Sequence, residues 1–308
     1  MSLEKLLVRN IPSGVLDWLK HLSDKSQRSL EAEARNALQE YVESRAIRES
    51  VSSRAADVGK RLTDLLGKYN ESYNVPRYTI SELAVLAGSD LVEPYENYFM
   101  GADEAPVSKL KVIADLLLCS PDWLVHGKGS MFIVGGDRIP HDPFEALEWF
   151  TEKGAVRRID LVRCDDEAGA LSVIKTYGDE HNSKVIHTPY HVSLEIGAGG
   201  ESDLCHLFLA FELLYKYYCK SSSKLFVASY IIPRKQYDLL LSGNEHPLSV
   251  IKSANRSMFW EDIWDKEMSL KNAEYWVGWN QLVRQIYRSM ESRRYIVEMQ
   301  EKIKETNY

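Results

Sequence analysis

The first forty-odd residues contain one strand pattern and two helix patterns, which is too little chain to bury a core of its own. Apolar and polar side chains alternate with a period of two before Pro12-Ser13-Gly14 ends the strand. Its two faces carry Lys5, Leu7 and Arg9 on one side and Leu6, Val8 and, loosely, Asn10 on the other. Two amphipathic helices follow, with Ser13 and Ser29 as their expected N-caps. Since about forty residues cannot fold alone, this segment requires a partner.

A second copy of the chain is a suitable partner for this segment. If the strand pairs with its own copy across a two-fold axis, neither strand is left with an open edge and the four helices share one core. The resulting two-stranded ribbon presents a repeated Lys5, Leu7 and Arg9 face to solvent. A ribbon of this kind fits the DNA major groove, where Arg and Lys bond to guanine O6 and N7.

These residues resemble a known family. The strand Leu6-Leu7-Val8-Arg9-Asn10-Ile11, followed by a helix and then by residues 27–35 (QRSLEAEAR), is similar to the ribbon-helix-helix fold, and within it to the FitA-like antitoxins. The resemblance covers residues 3–43. It implies that Lys5, Leu7, Arg9 and Asn10 contact DNA bases, as strands do in the Arc and MetJ repressors. It also implies that Arg28 and the free amides after Ser29 hold a DNA phosphate.

Length, charge and cysteine usage limit the class of protein. The chain has 308 residues, which allows two or three domains, and its net charge is −7. Residues 1–50 carry 8 bases and 8 acids, so DNA binding would depend on a few placed cations and would be salt-sensitive. The four scattered cysteines contain no CxxC pair and indicate reduced thiols. We expect no signal segment, no membrane insertion and a cytoplasmic location.

A second helical pattern begins after a polar joint at residues 44–54, which either extends the second helix or acts as a linker. An apolar stripe follows, and Thr79, Pro106 and Ser120 each stand at the start of a further helix. Gly88 is expected to end the helix that Thr79 caps. The stripe is Val58, Leu62, Leu65 and Leu66.

Residues 57–132 resemble the Cro/repressor type of helix-turn-helix. The most specific part is residues 111–129, in which a helix is followed by Ser120-Pro121-Asp122-Trp123-Leu124 and Gly127-Lys128-Gly129. The resemblance implies that Thr79, Tyr95 and Asn97 contact DNA. Glu93 and Glu96 depart from the family pattern, because carboxylates repel phosphates. An alternative is therefore a helical bundle kept for dimerisation or spacing that no longer reads DNA; Leu83, Ile113, Leu117 and Trp123 are core in either case.

The pattern changes to β after a boundary at residues 135–143. Strands are predicted at 159–164, 171–177, 185–187, 191–196 and 224–232, with a helix at 202–220 and a terminal helix from Leu282 to Ile303. We recognise no family in this α+β half. Trp260, Trp264, Trp276 and Trp279 are expected in the core or at a dimer interface.

Catalytic and metal-binding signals in this half are few. His187 and His191 share one face of an extended strand and His206 neighbours Cys205, but a metal site needs such ligands to converge. Cys164-Asp165-Asp166-Glu167 is interpreted as a solvated turn and Asp179-Glu180-His181 as a polar loop. We expect no cofactor, no metal and no enzymatic activity.

Three domains are predicted. They are a ribbon-helix-helix domain at 1–46, a helix-turn-helix domain at 54–134, and an α+β oligomerisation or sensing domain at 140–308. The leading hypothesis is a sequence-specific transcriptional repressor of phage or plasmid type, which binds double-stranded DNA as a homodimer or higher oligomer through two tandem modules and regulates its own gene. The alternative is the antitoxin of a toxin–antitoxin pair, whose C-terminal region binds a partner protein. An enzyme fused to DNA-binding modules is the third.

Overall fold

A computed structural model describes residues 8–72, 77–178, 182–220, 223–271 and 274–306. It has a helical N-terminal half and an α+β C-terminal half, as predicted. The N-terminal helices are α1 (Ser13–Ser26), α2 (Leu30–Glu71), α3 (Ile80–Leu86), α4 (Glu93–Met100), α5 (Val107–Leu116) and α6 (Pro121–His126).

The C-terminal half contains all six strands of the described residues. Its first elements are β1 (Val134–Gly136), α7 (Pro143–Thr151), β2 (Val156–Asp165), β3 (Ala170–Tyr177), β4 (Asn182–His191), α8 (Ala198–Tyr218) and β5 (Phe226–Pro233). They are followed by α9 (Arg234–Ser242), α10 (Pro247–Ile251), β6 (Arg256–Ser257), α11 (Phe259–Asp262), α12 (Lys266–Lys271), α13 (Trp279–Glu291) and α14 (Arg294–Glu305).

Helix α2 joins the two predicted N-terminal domains. It runs without a break for 42 residues, so the polar joint extends the helix and is not a flexible linker. Ser29 is its N-cap, as predicted, and accepts a 3.2 Å hydrogen bond from the Ala32 amide. The predicted cap of α1 is wrong: Ser13 is the first helical residue, and Pro12 occupies the N-cap without a side-chain bond.

The C-terminal part of α2 packs with α3–α6 into a compact helical bundle. Its core includes Leu62, Leu65, Tyr69, Leu83, Phe99, Leu110, Ile113, Leu117 and Leu124, with Trp123 partly buried against it. Thr79 caps α3 in a complete capping box with Glu82, and Ser120 caps α6. Gly59 is required where α2 meets the end of α4, because a Cβ there would lie 2.6 Å from the Gly101 backbone nitrogen.

The C-terminal half is a mixed sheet with helices on both faces. The strand order is β1-β4-β3-β2-β5-β6; β2, β3 and β4 form an antiparallel meander, and β5 runs parallel to β2. One face packs against α7, α8, α11, α13 and α14, and the other against α9 and α10. Trp260, Trp276 and Trp279 are buried in the first of these cores.

Two sequence predictions for this half are wrong. The strand predicted at 191–196 is absent, because β4 ends at His191, opposite Ala170, where its partner strand β3 begins. The chain beyond His191 has no strand to pair with and leads into α8. The single terminal helix is two helices, which are separated at Ser292 and Arg293.

His246 lies where the helical bundle meets the sheet domain. Its ring makes edge contacts with Tyr69 and Phe132, with centroids 5.5 and 5.1 Å apart. Beside it, the Phe132 amide donates to the Gly243 carbonyl at 2.8 Å. The side chain is 1% exposed, and burial lowers the pKa of His246 from 6.5 to about 3.

We expect this buried histidine to make the protein less stable as the pH falls. Between pH 6.5 and about 3 the unfolded chain binds a proton that the native His246 does not. Each pH unit below 6.5 therefore removes up to about 1.4 kcal/mol from the free energy of unfolding. Denaturant unfolding at several pH values measures this loss. In His246→Asn, which keeps an acceptor for the Leu248 amide, this part of the pH dependence should disappear; an unchanged slope would contradict the assignment.

Candidate nucleic-acid interface

The corner between α1 and α2 is held by hydrogen bonds among polar side chains. Gln27 adopts a left-handed conformation with φ 55°, which ends α1. The Ser23 hydroxyl donates to the Arg28 carbonyl at 2.7 Å, and the Ser26 hydroxyl donates to the Glu33 carboxylate at 2.7 Å. Glu33 is 7% exposed and also lies 3.5 Å from the Arg28 guanidinium. These contacts fix the direction in which α2 begins.

The start of α2 has the properties of a weak phosphate-binding site. The amides of its first turn lack helical acceptors, and the helix dipole places partial positive charge there. Arg28 precedes this turn with its side chain about half exposed. However, Glu31 and Glu33 lie in the same turn, and Glu33 neutralises part of the Arg28 charge. Any phosphate held here is therefore held mainly by backbone amides.

Of the four residues predicted to contact DNA bases, the structure describes only Arg9 and Asn10. Lys5 and Leu7, and with them most of the predicted strand, lie outside the described residues. Arg9 and Asn10 are exposed, and in the described part of the chain Arg9 forms no ion pair. Asn10 has a φ of 59°, a left-handed conformation that asparagine tolerates better than most residues. The backbone therefore turns just before Pro12.

Residues 8–42 expose an extensive apolar surface. Within this range no apolar side chain is buried; the two buried residues are Ser23 and Glu33. The exposed apolar side chains are Val8, Ile11, Val15, Trp18, Leu22, Leu30, Leu38, Tyr41 and Val42, of which Trp18 is 65% exposed. Exposed apolar patches of this kind are typical of interaction surfaces. The surface agrees with the predicted need of this segment for a partner.

The three bundle residues predicted to contact DNA differ in their exposure and in their contacts. Tyr95 is 1% exposed, so the DNA contact predicted for it is wrong: the aromatic ring packs in the core of the bundle. Thr79 is exposed, with its hydroxyl engaged in the capping box. The Asn97 amide donates to the Asp103 carboxylate at 3.0 Å. Thr79 and Asn97 stay predicted DNA contacts.

The surface of α3 and α4 is acidic. Residues 78–108 contain six acids and no lysine or arginine; the acids are Glu82, Asp90, Glu93, Glu96, Asp103 and Glu104. Glu93 and Glu96 are exposed on α4, between exposed Leu91 and Met100. A DNA duplex carries about one negative charge per 1.7 Å, so this surface repels it. The geometry favours the alternative in which the bundle does not read DNA.

The histidines of the C-terminal half lie in separate surroundings. His187 Nδ1 is 3.4 Å from the Ser172 hydroxyl, His191 Nδ1 is 3.1 Å from the Ala168 carbonyl, and His206 stacks on His141 with centroids 4.4 Å apart. Among the described residues, no group of three or more His, Cys, Asp or Glu could hold a metal ion. Asp179, Glu180 and His181 lie outside the described residues.

Among the helices that the structure describes, none has both the length and the apolar composition that a membrane span requires.

Sequence reasoning missed the buried charges of the central strands. Asp160 is fully buried and paired with Arg158, while Arg163 and Lys175 are 2% and 1% exposed. Arg163 stacks on Trp276 and donates to the Val192 and Cys164 carbonyls at 2.9 and 2.8 Å. The sequence signal that could have revealed these buried charges is the presence of charged residues within predicted strands whose other residues are mostly apolar.

Comparison with known families supports the N-terminal interpretation. Residues 5–42 match the family model described as antitoxin FitA-like, ribbon-helix-helix. The N-terminal segment is therefore similar to a fold that dimerises and binds DNA. No curated protein and no solved structure matches the chain.

Proposed function

We propose that this protein is a sequence-specific transcriptional repressor that binds DNA as a homodimer through its N-terminal module. The observation that carries the proposal is the family match at residues 5–42 together with the uncovered apolar surface of the same segment. A second copy would cover that surface and pair the two strands into one ribbon. When the operator overlaps a promoter, the bound dimer blocks transcription.

In this proposal the ribbon reads sequence and the corner before α2 sets position. Lys5, Leu7, Arg9 and Asn10 of both copies enter the major groove, where Arg and Lys bond to guanine. Arg28 and the amides after Ser29 contact a flanking phosphate. Because the chain is acidic overall, few contacts supply the affinity, and binding weakens with salt in proportion to the number of phosphates that Lys and Arg neutralise.

The helical bundle acts as a spacer in this proposal. Its sequence resembles a helix-turn-helix, but its acidic α3–α4 surface makes no phosphate contact. Helix α2 is continuous from the N-terminal module into the bundle, so its length fixes the distance between the bundle and the operator. The C-terminal domain, attached through the His246 contacts, lies beyond it.

Gel retardation of the promoter fragment upstream of the protein's own gene tests this function. In Lys5→Ala/Arg9→Ala we expect the affinity to fall at least 100-fold, because a dimer loses four side chains and each good base contact contributes about 1–3 kcal/mol. Glu93→Gln/Glu96→Gln is the matched control and should leave retardation within about twofold at a given salt concentration. Unchanged retardation in the first variant would rule out the ribbon as the reading element.

The antitoxin function is the second candidate, because the matching family model is described as an antitoxin. In that case a partner protein binds the C-terminal region. Affinity purification of the chain from cells that express the neighbouring genes distinguishes the two. Co-purification of a small unrelated protein in a fixed ratio with the chain would support the antitoxin function. Purification of the chain without such a protein, in a form that binds its operator, would support the repressor function.

A further inference from the structure

A small cationic cavity lies on the α9–α10 face of the sheet. It has a volume of about 260 Å³ and lies between β2, β5, the α10 segment and β6. Arg158, Tyr230, Lys252 and Arg256 line its polar side, and Leu248 and Ile251 line its apolar side. None of these residues belongs to the proposed DNA interface.

The cations of this cavity outnumber its acids. Arg158 binds Asp160 through two short hydrogen bonds, Nε to Oδ2 at 2.7 Å and Nη2 to Oδ1 at 2.8 Å, so this pair is neutral. Arg256 and Lys252 form no ion pair with any described residue. The cavity therefore carries a net charge of about +2 on exposed side chains that have no paired acid among the described residues, and this charge attracts an anion.

Three donors of the cavity, Arg158, Arg256 and Tyr230, have contacts that hold them in place before any ligand arrives. The guanidinium carbons of Arg158 and Arg256 lie 5.1 and 4.9 Å from the centroid of the same Phe226 ring. Arg158 is 8% exposed and also donates to the Tyr230 hydroxyl at 3.2 Å. The Tyr230 oxygen accepts that bond, so its own proton is available to an acceptor in the cavity. Fixed cations of this kind reduce the entropy lost on binding.

We infer that this cavity binds a small organic phosphate monoester. A phosphate monoester carries about −1.5 to −2 charge at pH 7, which matches the uncompensated charge, whereas a carboxylate carries half of it. The exposed Arg256 guanidinium can bind two phosphate oxygens with a pair of N–H groups, and Leu248 and Ile251 border the cavity where the apolar group of the ligand would lie. The volume is below the 300–1,000 Å³ typical of larger ligands, so the ligand is small.

Calorimetric titration of the full-length protein with phenyl phosphate tests this inference. We expect saturable binding that is at least 10-fold tighter than the binding of benzoate, which has the same ring and one charge, and tighter than that of inorganic phosphate, which lacks the ring. Arg256→Gln/Lys252→Gln should weaken phenyl phosphate at least 10-fold. Both side chains are exposed, so the variant should keep the circular dichroism spectrum of the parent.

The matched control is Arg157→Gln/Lys235→Gln, which removes the same two charges from exposed positions outside the cavity. It should leave the affinity unchanged. Equal losses in both variants would show a general effect of surface charge and overturn the site. The inference is also overturned if phenyl phosphate fails to bind at millimolar concentration, or if benzoate or inorganic phosphate binds as tightly.

Discussion

Leu22→Asp/Leu38→Asp is expected to convert the dimer into monomers and to abolish DNA binding. Leu22 and Leu38 are 38% and 48% exposed in the single chain, within a module that buries no apolar side chain of its own. A dimer that covers the exposed part of these leucines gains about 0.6–1.4 kcal/mol for each of them, or about 2.6–5.2 kcal/mol for the four. Their loss should raise the dimer dissociation constant at least about 100-fold, and the four carboxylates placed in the interface add to that.

Light scattering over a concentration series measures this change, and gel retardation follows DNA binding in the same samples. The helical bundle and the sheet domain have separate cores, so the rest of the chain should stay folded. Leu239→Asp/Met258→Asp is the control: it places the same charges on exposed apolar residues of the C-terminal half and should leave the dimer intact. A variant that remains dimeric and bound to DNA would exclude the N-terminal module as the interface.

Local signals in the sequence predicted the features that depend on local physics. Ser29, Thr79 and Ser120 each precede a helical pattern, and each caps the helix it was expected to cap. The need of residues 5–42 for a partner followed from the small size of the segment, and the exposed apolar surface of residues 8–42 agrees with it. The helix caps depend on hydrogen bonds between residues close in sequence, and the need for a partner depends on how much apolar area the segment can bury. Both can be predicted from the sequence of the segment alone.

The features that sequence reasoning missed depend on which segments meet in space. Tyr95 lies in a short helix where polar and apolar residues are mixed, and its place in the core follows from how α4 packs on α2. The strand predicted at 191–196 had the right alternation but no neighbouring strand to pair with. Arg256 lines its cavity only because β6 pairs with β5, opposite Tyr230. Contacts between segments that are distant in sequence cannot be predicted from the residue pattern of either segment alone.

Asp160→Ala is expected to destabilise the C-terminal domain by about 3–5 kcal/mol. Asp160 is fully buried in the central strand β2, where it binds Arg158, itself 8% exposed. Without the carboxylate, the guanidinium of Arg158 keeps its contacts with Tyr230 and Phe226 but remains buried with no counter-charge, which is the costly way to break a buried ion pair. Denaturant unfolding followed by tryptophan fluorescence measures the change, since Trp260 and Trp279 are buried in the same domain.

Two further variants separate the unpaired charge from the loss of volume. Arg158→Met/Asp160→Leu removes both charges and should recover most of the lost stability, because apolar residues of similar size often replace a buried pair without cost. Glu298→Ala breaks the exposed Arg294–Glu298 pair at 2.8 Å and should change the free energy of unfolding by less than about 0.5 kcal/mol. If the double variant is as unstable as Asp160→Ala, the cost arises from packing around β2, and the buried guanidinium is not its cause.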